Sequence, residues 1–249
     1  MAMDKRRILS YLSTIAAMLL AWQGASMVVR SAALPAPLSV MSSFAELMRG
    51  ELLKHFLISF YRVAVSIILS VSLAVPLGLV LGREEKLDRF FAPFIFLTYP
   101  IPKIVFLPVI LLLLGIGNLS KITLIVLIIF FQILVTTRDA ARAIPAQSIL
   151  SVRSLGAGWR QVYRHVVFPA CLPDIFTALR ISVGTAIAVL FLAESYATEE
   201  GLGYFIMDAW TRINYPEMFG GITAMALMGA VVYEALEALE RRFCAWTRN

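Results

Sequence analysis

Residues 145–173 read PAQSILSVRSLGAGWRQVYRHVVFPACLP and form the one long polar, basic interruption in the second half of an otherwise apolar sequence. Pro145 suits the first turn of a helix, where its missing N–H costs nothing. Gly156 and Gly158 offer a helix stop and a fresh start. After them Trp159, Val162, Tyr163 and Val166 recur at i, i+3, i+4 and i+7, which makes one apolar face. Arg160, Gln161 and Arg164 fall on the other side. The expectation is two short helices hinged at glycine and closed by Pro169 and Pro173. On periodicity alone the stretch also reads as an ordinary helical loop beside a membrane.

The sequence on either side of this loop sets the class. Of 249 residues, 60% are hydrophobic and 15% charged, and the mean hydropathy is +0.83. A soluble domain of this length would carry about a quarter charged residues. A bilayer needs roughly 20 apolar residues per spanning helix and leaves no backbone polar group to water. An all-α polytopic membrane protein follows, read as one domain with six transmembrane helices at about 8–29, 56–81, 101–116, 122–137, 175–195 and 219–239. Residues 138–174 connect the fourth and fifth. Lys5, Arg6 and Arg7 precede an apolar run, Ile8 to Val29, that is too long for a signal-peptide core, so a retained first helix is expected. The net charge of +6 is distributed between the spans, which argues against a nucleic-acid partner. Two cysteines, Cys171 and Cys244, are too few for a disulfide framework.

Particular residues carry open readings. Val40–His55 places Phe44, Leu47, Met48, Leu52 and Leu53 among charges, as in an amphipathic helix lying at the membrane surface. Arg62, near the start of the second span, can snorkel to the outer interface. Pro93, Pro100, Pro102 and Pro108 exclude one straight helix through 90–116, so the span proper should start near Ile101–Lys103 and end at Gly115–Asn118. Lys103 is then either a snorkelling residue at the inner boundary or a cation facing a pathway. Ser182 and Thr185 either line a pathway or bond back to their own helix, beside a small pair at Gly184 and Ala188. Glu194 and Glu234 are intramembrane acids, functional candidates by default, yet each lies within two turns of a span end and so reads as solvated. Residues Gly203–Trp210 should form a short helix at the outer face.

Orientation follows from Lys and Arg. With the N-terminus inside, one side carries fifteen of them and the other carries Arg30, Arg49, Lys54, Lys121 and Arg212. Both termini, the Gly156 loop, Cys171 and Cys244 are thereby expected in the cytoplasm. No G-x-x-x-x-G-K-[ST] run is present, so ATP binding by this chain is not expected. His55 and His165 fall on opposite sides, and no catalytic or metal site is assembled from them.

Gly156, Val166, Phe168 and Pro169, within SVRSLGAGWRQVYRHVVFPACLP, resemble the "EAA" loop of the membrane-spanning subunits of ABC importers. The fuller run is similar to the nitrate/sulfonate/taurine branch. LPAP after the first span, SFYRV, VPLGLVLG and GLGY resemble the same family. The resemblance implies a type I importer permease fold with short cytoplasmic coupling helices. It implies that Leu150, Ser151, Val152, Arg153, Ser154, Leu155, Gly156, Ala157 and Arg160 dock on an ATPase. Leu150 stands where the family's acidic residue would be. Two ATPases would bind ATP and Mg, and this chain would hold no cofactor. A second permease copy, simplest as a homodimer, and an extracytoplasmic solute-binding protein would complete an alternating-access importer of small anions or other small nutrients. Lys103, Ser182 and Thr185 are the candidate substrate pathway. A self-sufficient secondary transporter or channel is the competing reading, for which Lys103 is the one coupling candidate. A membrane scaffold is the third.

Overall fold

Helices form where the sequence runs apolar, and their lengths differ from those expected in instructive ways. The computed structural model describes residues 5–196 and 198–248, with side chains within 13–246 of them. The side chains of Lys5, Arg6, Arg7 and Arg248, among the basic residues used above for orientation, lie outside that description. Among the described residues there is no strand.

The chain runs α1 (Lys5–Val29), α2 (Pro37–Leu47), α3 (Glu51–Arg83) and α4 (Glu85–Thr98). A 3-10 turn (Lys103–Phe106) leads into α5 (Leu107–Leu114), then α6 (Asn118–Ala143) and α7 (Ala146–Ser154). After these come α8 (Trp159–Val162), a π turn (Tyr163–Val167), α9 (Phe168–Glu194), α10 (Leu202–Thr211) and α11 (Tyr215–Phe243). Among the described residues, four stretches are long and apolar enough to cross a membrane: Glu51–Arg83, Asn118–Ala143, Trp159–Glu194 and Tyr215–Phe243. The pair Glu85–Thr98 and Lys103–Leu114, bent by 79°, makes a fifth if counted as one broken span. The described apolar part of α1 is Ser13–Val29.

α3 lies along α6, and α6 lies along α9. Ile125, Ile129 and Ile133 recur every fourth residue on α6 and are fully buried between these neighbours. Lipid tails are as apolar as isoleucine, so burial alone does not drive helices together in a bilayer; close backbone approach does. Two glycines one turn apart supply it. A Cβ on Gly78 would come within 2.7 Å of the Thr137 Cβ, and one on Gly82 would overlap the Arg138 carbonyl and stand 2.6 Å from the Ala141 Cβ. α2 and α10 pack on α11. Trp22 of α1 donates to the Pro35 carbonyl (3.1 Å) and stacks on Phe219 with ring centroids 5.6 Å apart.

Four expectations are corrected. The amphipathic stretch 40–55 is not one helix: Met48–Gly50 form turns, Glu51 onward belongs to α3, and Val40, Phe44, Leu47 and Met48 pack inward on the core. The fourth span runs to Ala143 rather than 137, because Arg138 and Arg142 stay helical by pairing with Asp88 of α4. The third span is not 101–116 alone: α5 has 8 residues, about 12 Å of rise, too short to cross. Finally, Pro169 and Pro173 do not close the loop. Both sit inside one helical run from Trp159 to Glu194, where the wider π turn just before them loosens the ladder that a proline ring would otherwise clash with.

Cys171 and Cys244 are both buried, at 0% and 2% exposure, and burial pushes the Cys244 thiol up. Neither is a rapid target for thiol reagents, whichever side it faces.

The α3–α6 contact makes a first prediction. Gly82→Val should cost about 1–3 kcal/mol or more by overpacking against rigid backbone. Thermal unfolding of the detergent-extracted protein should fall well below the parent, while Gly24→Ala, whose Cβ meets nothing within 4 Å, should leave it unchanged. Equal midpoints for parent and Gly82→Val would rule out the close crossing.

Candidate functional site

The loop is built around one backbone conformation. At the end of α7 the Gly156 N–H donates to the Arg153 carbonyl (2.9 Å) and the Ala157 N–H to the Val152 carbonyl (3.4 Å). This is a Schellman closure, and it places Gly156 at φ +86°, where a side chain is strained. The Gly158 N–H donates to Gln161 Oε1 (2.8 Å), which starts the next helix. Ile149 and Val162 face inward and anchor the two arms. Leu150, Leu155 and Trp159 point outward at 60%, 88% and 65% exposure. Arg153 is exposed, Ala157 half-buried, and the Arg160 guanidinium lies 5.3 Å from the Trp159 ring centroid. The hydroxyls of Ser151 and Ser154 bond back to the carbonyls of Gln147 and Leu150, each at 2.9 Å. The result is an apolar knob with basic side chains at its edge, held on a stiff hinge.

A second feature is a cleft of about 430 Å³ where the 99–104 bend meets α6 and α9. Pro102 has no N–H for the Thr98 carbonyl four residues back, and the bend takes the Tyr99 and Ile101 carbonyls out of the helical ladder, so all three need donors. Lys103 Nζ supplies them: it donates to the carbonyls of Thr98 (2.8 Å), Tyr99 (2.9 Å) and Ile101 (3.3 Å). It also lies 4.8 Å from the Phe131 ring centroid. So Lys103 lines the cleft, yet its ammonium first holds the bend together. Thr185 lines the cleft too, but Ser182 is fully buried and donates to Gln132 Oε1 (3.3 Å). The Gln132 amide donates in turn to Thr185 Oγ1 (3.3 Å). Gln132, a lone amide in the apolar middle of α6, is the residue that the sequence reading passed over. Gly184 and Ala188 are exposed, and a Cβ on Gly184 would meet nothing within 4 Å.

The third feature is a buried charge cluster at the far end of the bundle from the loop. Arg62, expected to snorkel, is 2% exposed; Glu194, expected to be solvated, is fully buried. They pair at 2.6 Å. Glu194 also accepts from Ser59 Oγ (2.8 Å) and from the Gly203 N–H (2.9 Å). Arg62 donates to Asn118 Oδ1 (2.8 Å) and the Glu200 carbonyl (3.0 Å). Ser59 Oγ accepts the Leu202 N–H (2.8 Å), and His55 Nδ1 accepts the Gly201 N–H (3.0 Å). Gly201 sits at φ +112°, and any Cβ there would overlap the Glu194 carboxylate. Lys121, counted above on the outer side, is buried beside this cluster and bonds the Ile116 carbonyl. Glu234, by contrast, is exposed on α11. The signal for the cluster was present in the sequence: His55, Ser59, Arg62, Ser66 and Ser70 step along one face of α3 at spacings of four, three, four and four.

With this geometry in hand, comparison with known proteins is direct. The family described as binding-protein-dependent transport system inner membrane component matches residues 74–247, from mid α3 through the loop to the end of α11. The chain belongs to that family. It is 32% identical over 231 residues to the SsuC protein of Bacillus subtilis (strain 168), named for aliphatic sulfonates transport, covering 92% of this chain and 84% of the relative. It is 28% identical over 249 residues to the taurine transport system permease protein TauC of Escherichia coli (strain K12), covering 97% and 90%. In fold it is similar to a chain of the MetNI methionine ABC transporter in an inward facing conformation, with TM-score 0.68 and 21% identity over 80% of this chain and 98% of that one. The protein is therefore the multi-pass permease subunit of an ABC importer, a transport component rather than an enzyme, whose family works with a separate ATPase and a binding protein. The secondary-transporter reading gives way to it.

For this permease the buried cluster yields a clear expectation. Removing one partner of a buried ion pair leaves the other uncompensated and costs about 3–5 kcal/mol. Glu194→Ala and Arg62→Met should each sharply lower the unfolding temperature in detergent. The double variant Arg62→Met/Glu194→Met should recover a substantial part of that loss. Additive losses in the double variant would mean that the two side chains do not act as a pair.

Proposed function

We propose that this permease imports a compact organic oxyanion, with sulfonates the leading class, as one of two identical copies coupled to two ATPases through the Gly156 loop. The observation that carries the coupling is the loop itself: a positive-φ glycine sets two short arms at a fixed angle and leaves Leu150, Leu155 and Trp159 exposed beside Arg153 and Arg160. Exposed apolar side chains held rigidly, with polar rims, are what a partner's groove can bind. Ser151, Val152, Ser154 and Ala157 form the frame of the same surface. Leu150 in place of an acid fits a groove on the ATPase that is more apolar than the family's usual one. The ATPases bind ATP and Mg; this chain needs no cofactor and no nucleic acid.

The excess of Lys and Arg on the loop side supports a cytoplasmic loop and cytoplasmic termini. The sulfonate class is supported by the names of the SsuC and TauC relatives and by the cation at Lys103, with Thr185 facing the same cleft and Ser182 behind it. One loop per chain and two ATPases per transporter support a pair of permease copies, and symmetry makes identical copies the simplest pair. The exposed Gly184/Ala188 face is available for contact with the second copy.

Two measurements test this. Gly156→Val places a β-branched residue at positive φ, a strain of about 1 kcal/mol or more, and should turn the knob out of register. The variant should insert and fold, but tagged permease should no longer co-purify with its ATPase, and ATP-dependent uptake in proteoliposomes should be lost. Leu150→Glu should weaken the same association. Full assembly and uptake in Gly156→Val would remove the loop from the coupling role. For orientation, Leu155→Cys should react in intact cells with a membrane-permeant maleimide and not with an impermeant one; reaction with the impermeant reagent would invert the topology.

A further inference from the structure

Resting on that importer reading, we propose that Gln132 is the specificity-determining residue of the translocation cleft, offering its amide N–H to an oxyanion with a short apolar tail within the positive field of Lys103. The cleft brings together three things. Its walls are mainly apolar, with Ile128, Phe131, Val189 and Leu192 among them, and no acidic side chain among the described residues lines it. Its one charge is Lys103, whose three N–H protons are all held by carbonyls, so it contributes a field rather than a free donor. Besides the Tyr99 hydroxyl, the uncommitted donor on its wall is on Gln132.

The amide has two N–H protons and a carbonyl. One N–H reaches Thr185 Oγ1 and the carbonyl accepts from Ser182, both at 3.3 Å, which is long beside the usual 2.9–3.0 Å. Thr185 has turned its own proton to the Ile181 carbonyl (3.4 Å), so it faces Gln132 as an acceptor only. The second N–H has no acceptor among the described residues. A polar group half-exposed in an apolar helix, weakly held and with a spare donor, has little to lose by exchanging Thr185 for a ligand oxygen. A cation entering the cleft meets Lys103 and finds no carboxylate to offset it. A neutral apolar solute leaves the amide unpaired. An oxyanion satisfies both the donor and the field, and a short alkyl tail fits the apolar wall. The alternative occupant, lipid, would satisfy the wall but leave the amide as it stands.

The test reads the cleft without requiring the transported solute to be known. Ala188→Cys, on the cleft wall, leaves Gln132, Ser182 and Thr185 in place. In the complex with its ATPase reconstituted in liposomes, this variant and Ala188→Cys/Gln132→Leu are treated with two thiol reagents of similar size, anionic 2-sulfonatoethyl methanethiosulfonate and cationic 2-(trimethylammonium)ethyl methanethiosulfonate. Each rate is divided by the reagent's rate with a free thiol in solution, and the parent protein gives the background. With Gln132 present the anionic reagent should react about tenfold faster or more after this correction, the range by which a cleft of one sign concentrates counter-ions, and excess ethanesulfonate should slow it while choline does not; with Gln132→Leu the protection by ethanesulfonate should be lost. Should Ala188→Cys fail to assemble, Leu192→Cys on the same wall carries the same measurement. Equal corrected rates, a faster cationic reagent, or undiminished ethanesulfonate protection with Gln132→Leu would overturn the proposal. So would no reaction with either reagent, with and without ATP, since the cleft would then be closed to water. Failure of the importer reading shows separately, as absence of ATP-driven uptake by the parent complex despite a reactive, anion-selective cysteine.

Discussion

The fold depends on one buried contact, the Arg62–Glu194 pair. Taking two charges out of water is costly, and the attraction between them compensates only when every remaining donor and acceptor is satisfied. Here they are drawn in from four separate elements: Ser59 on α3, Asn118 on α6, the Glu200 carbonyl before α10, and the Gly203 N–H at the start of α10. Because the pair joins α3 to α9, and its partners add α6 and α10, the cluster sets the relative position of most of the bundle at that end. The Gly201 backbone must pass against the carboxylate, which no residue with a side chain could do without displacing it.

At the opposite end α3, α4 and α6 are fixed by different means. Gly78 and Gly82 let α3 and α6 approach until backbone meets side chain, and Asp88 ties α4 to Arg138 and Arg142 of α6. The loop then hangs from α6 through α7 and returns without a break into α9. Trp159–Glu194 is a single helical run of 36 residues, so one continuous element joins the loop to the buried Glu194, and its α9 part borders the cleft on the way.

The cleft has a different character. It lies where the chain is least regular, at a 79° bend with two prolines, and it is held by one ammonium rather than by packing. A bend stabilised by three hydrogen bonds to one side chain can change angle more readily than a glycine-packed crossing. The cleft thus sits beside, and not within, the glycine-packed α3–α6 crossing.

The sequence by itself determined the membrane class, the helical content, the glycine-hinged loop and its family, because these follow from composition, from apolar runs of bilayer length and from local backbone chemistry at Gly156. It also showed that 90–116 had to break. What it did not determine was partnership between distant residues. Arg62 and Glu194 are separated by 132 positions, and each alone looks like a charge near a span end that water would reach. Lys103 reads as a snorkelling or pathway-facing cation until the Thr98, Tyr99 and Ile101 carbonyls at the bend are seen converging on it. Gln132 gives no periodic signal, being one polar residue in an apolar helix, and acquires meaning only when α9 sets Ser182 and Thr185 against it. Pro169 reads as a helix end, and only the π turn shows how the helix passes through it. Local rules fix which segments are helices; which buried polar groups are satisfied, and by what, is decided where helices distant in sequence meet.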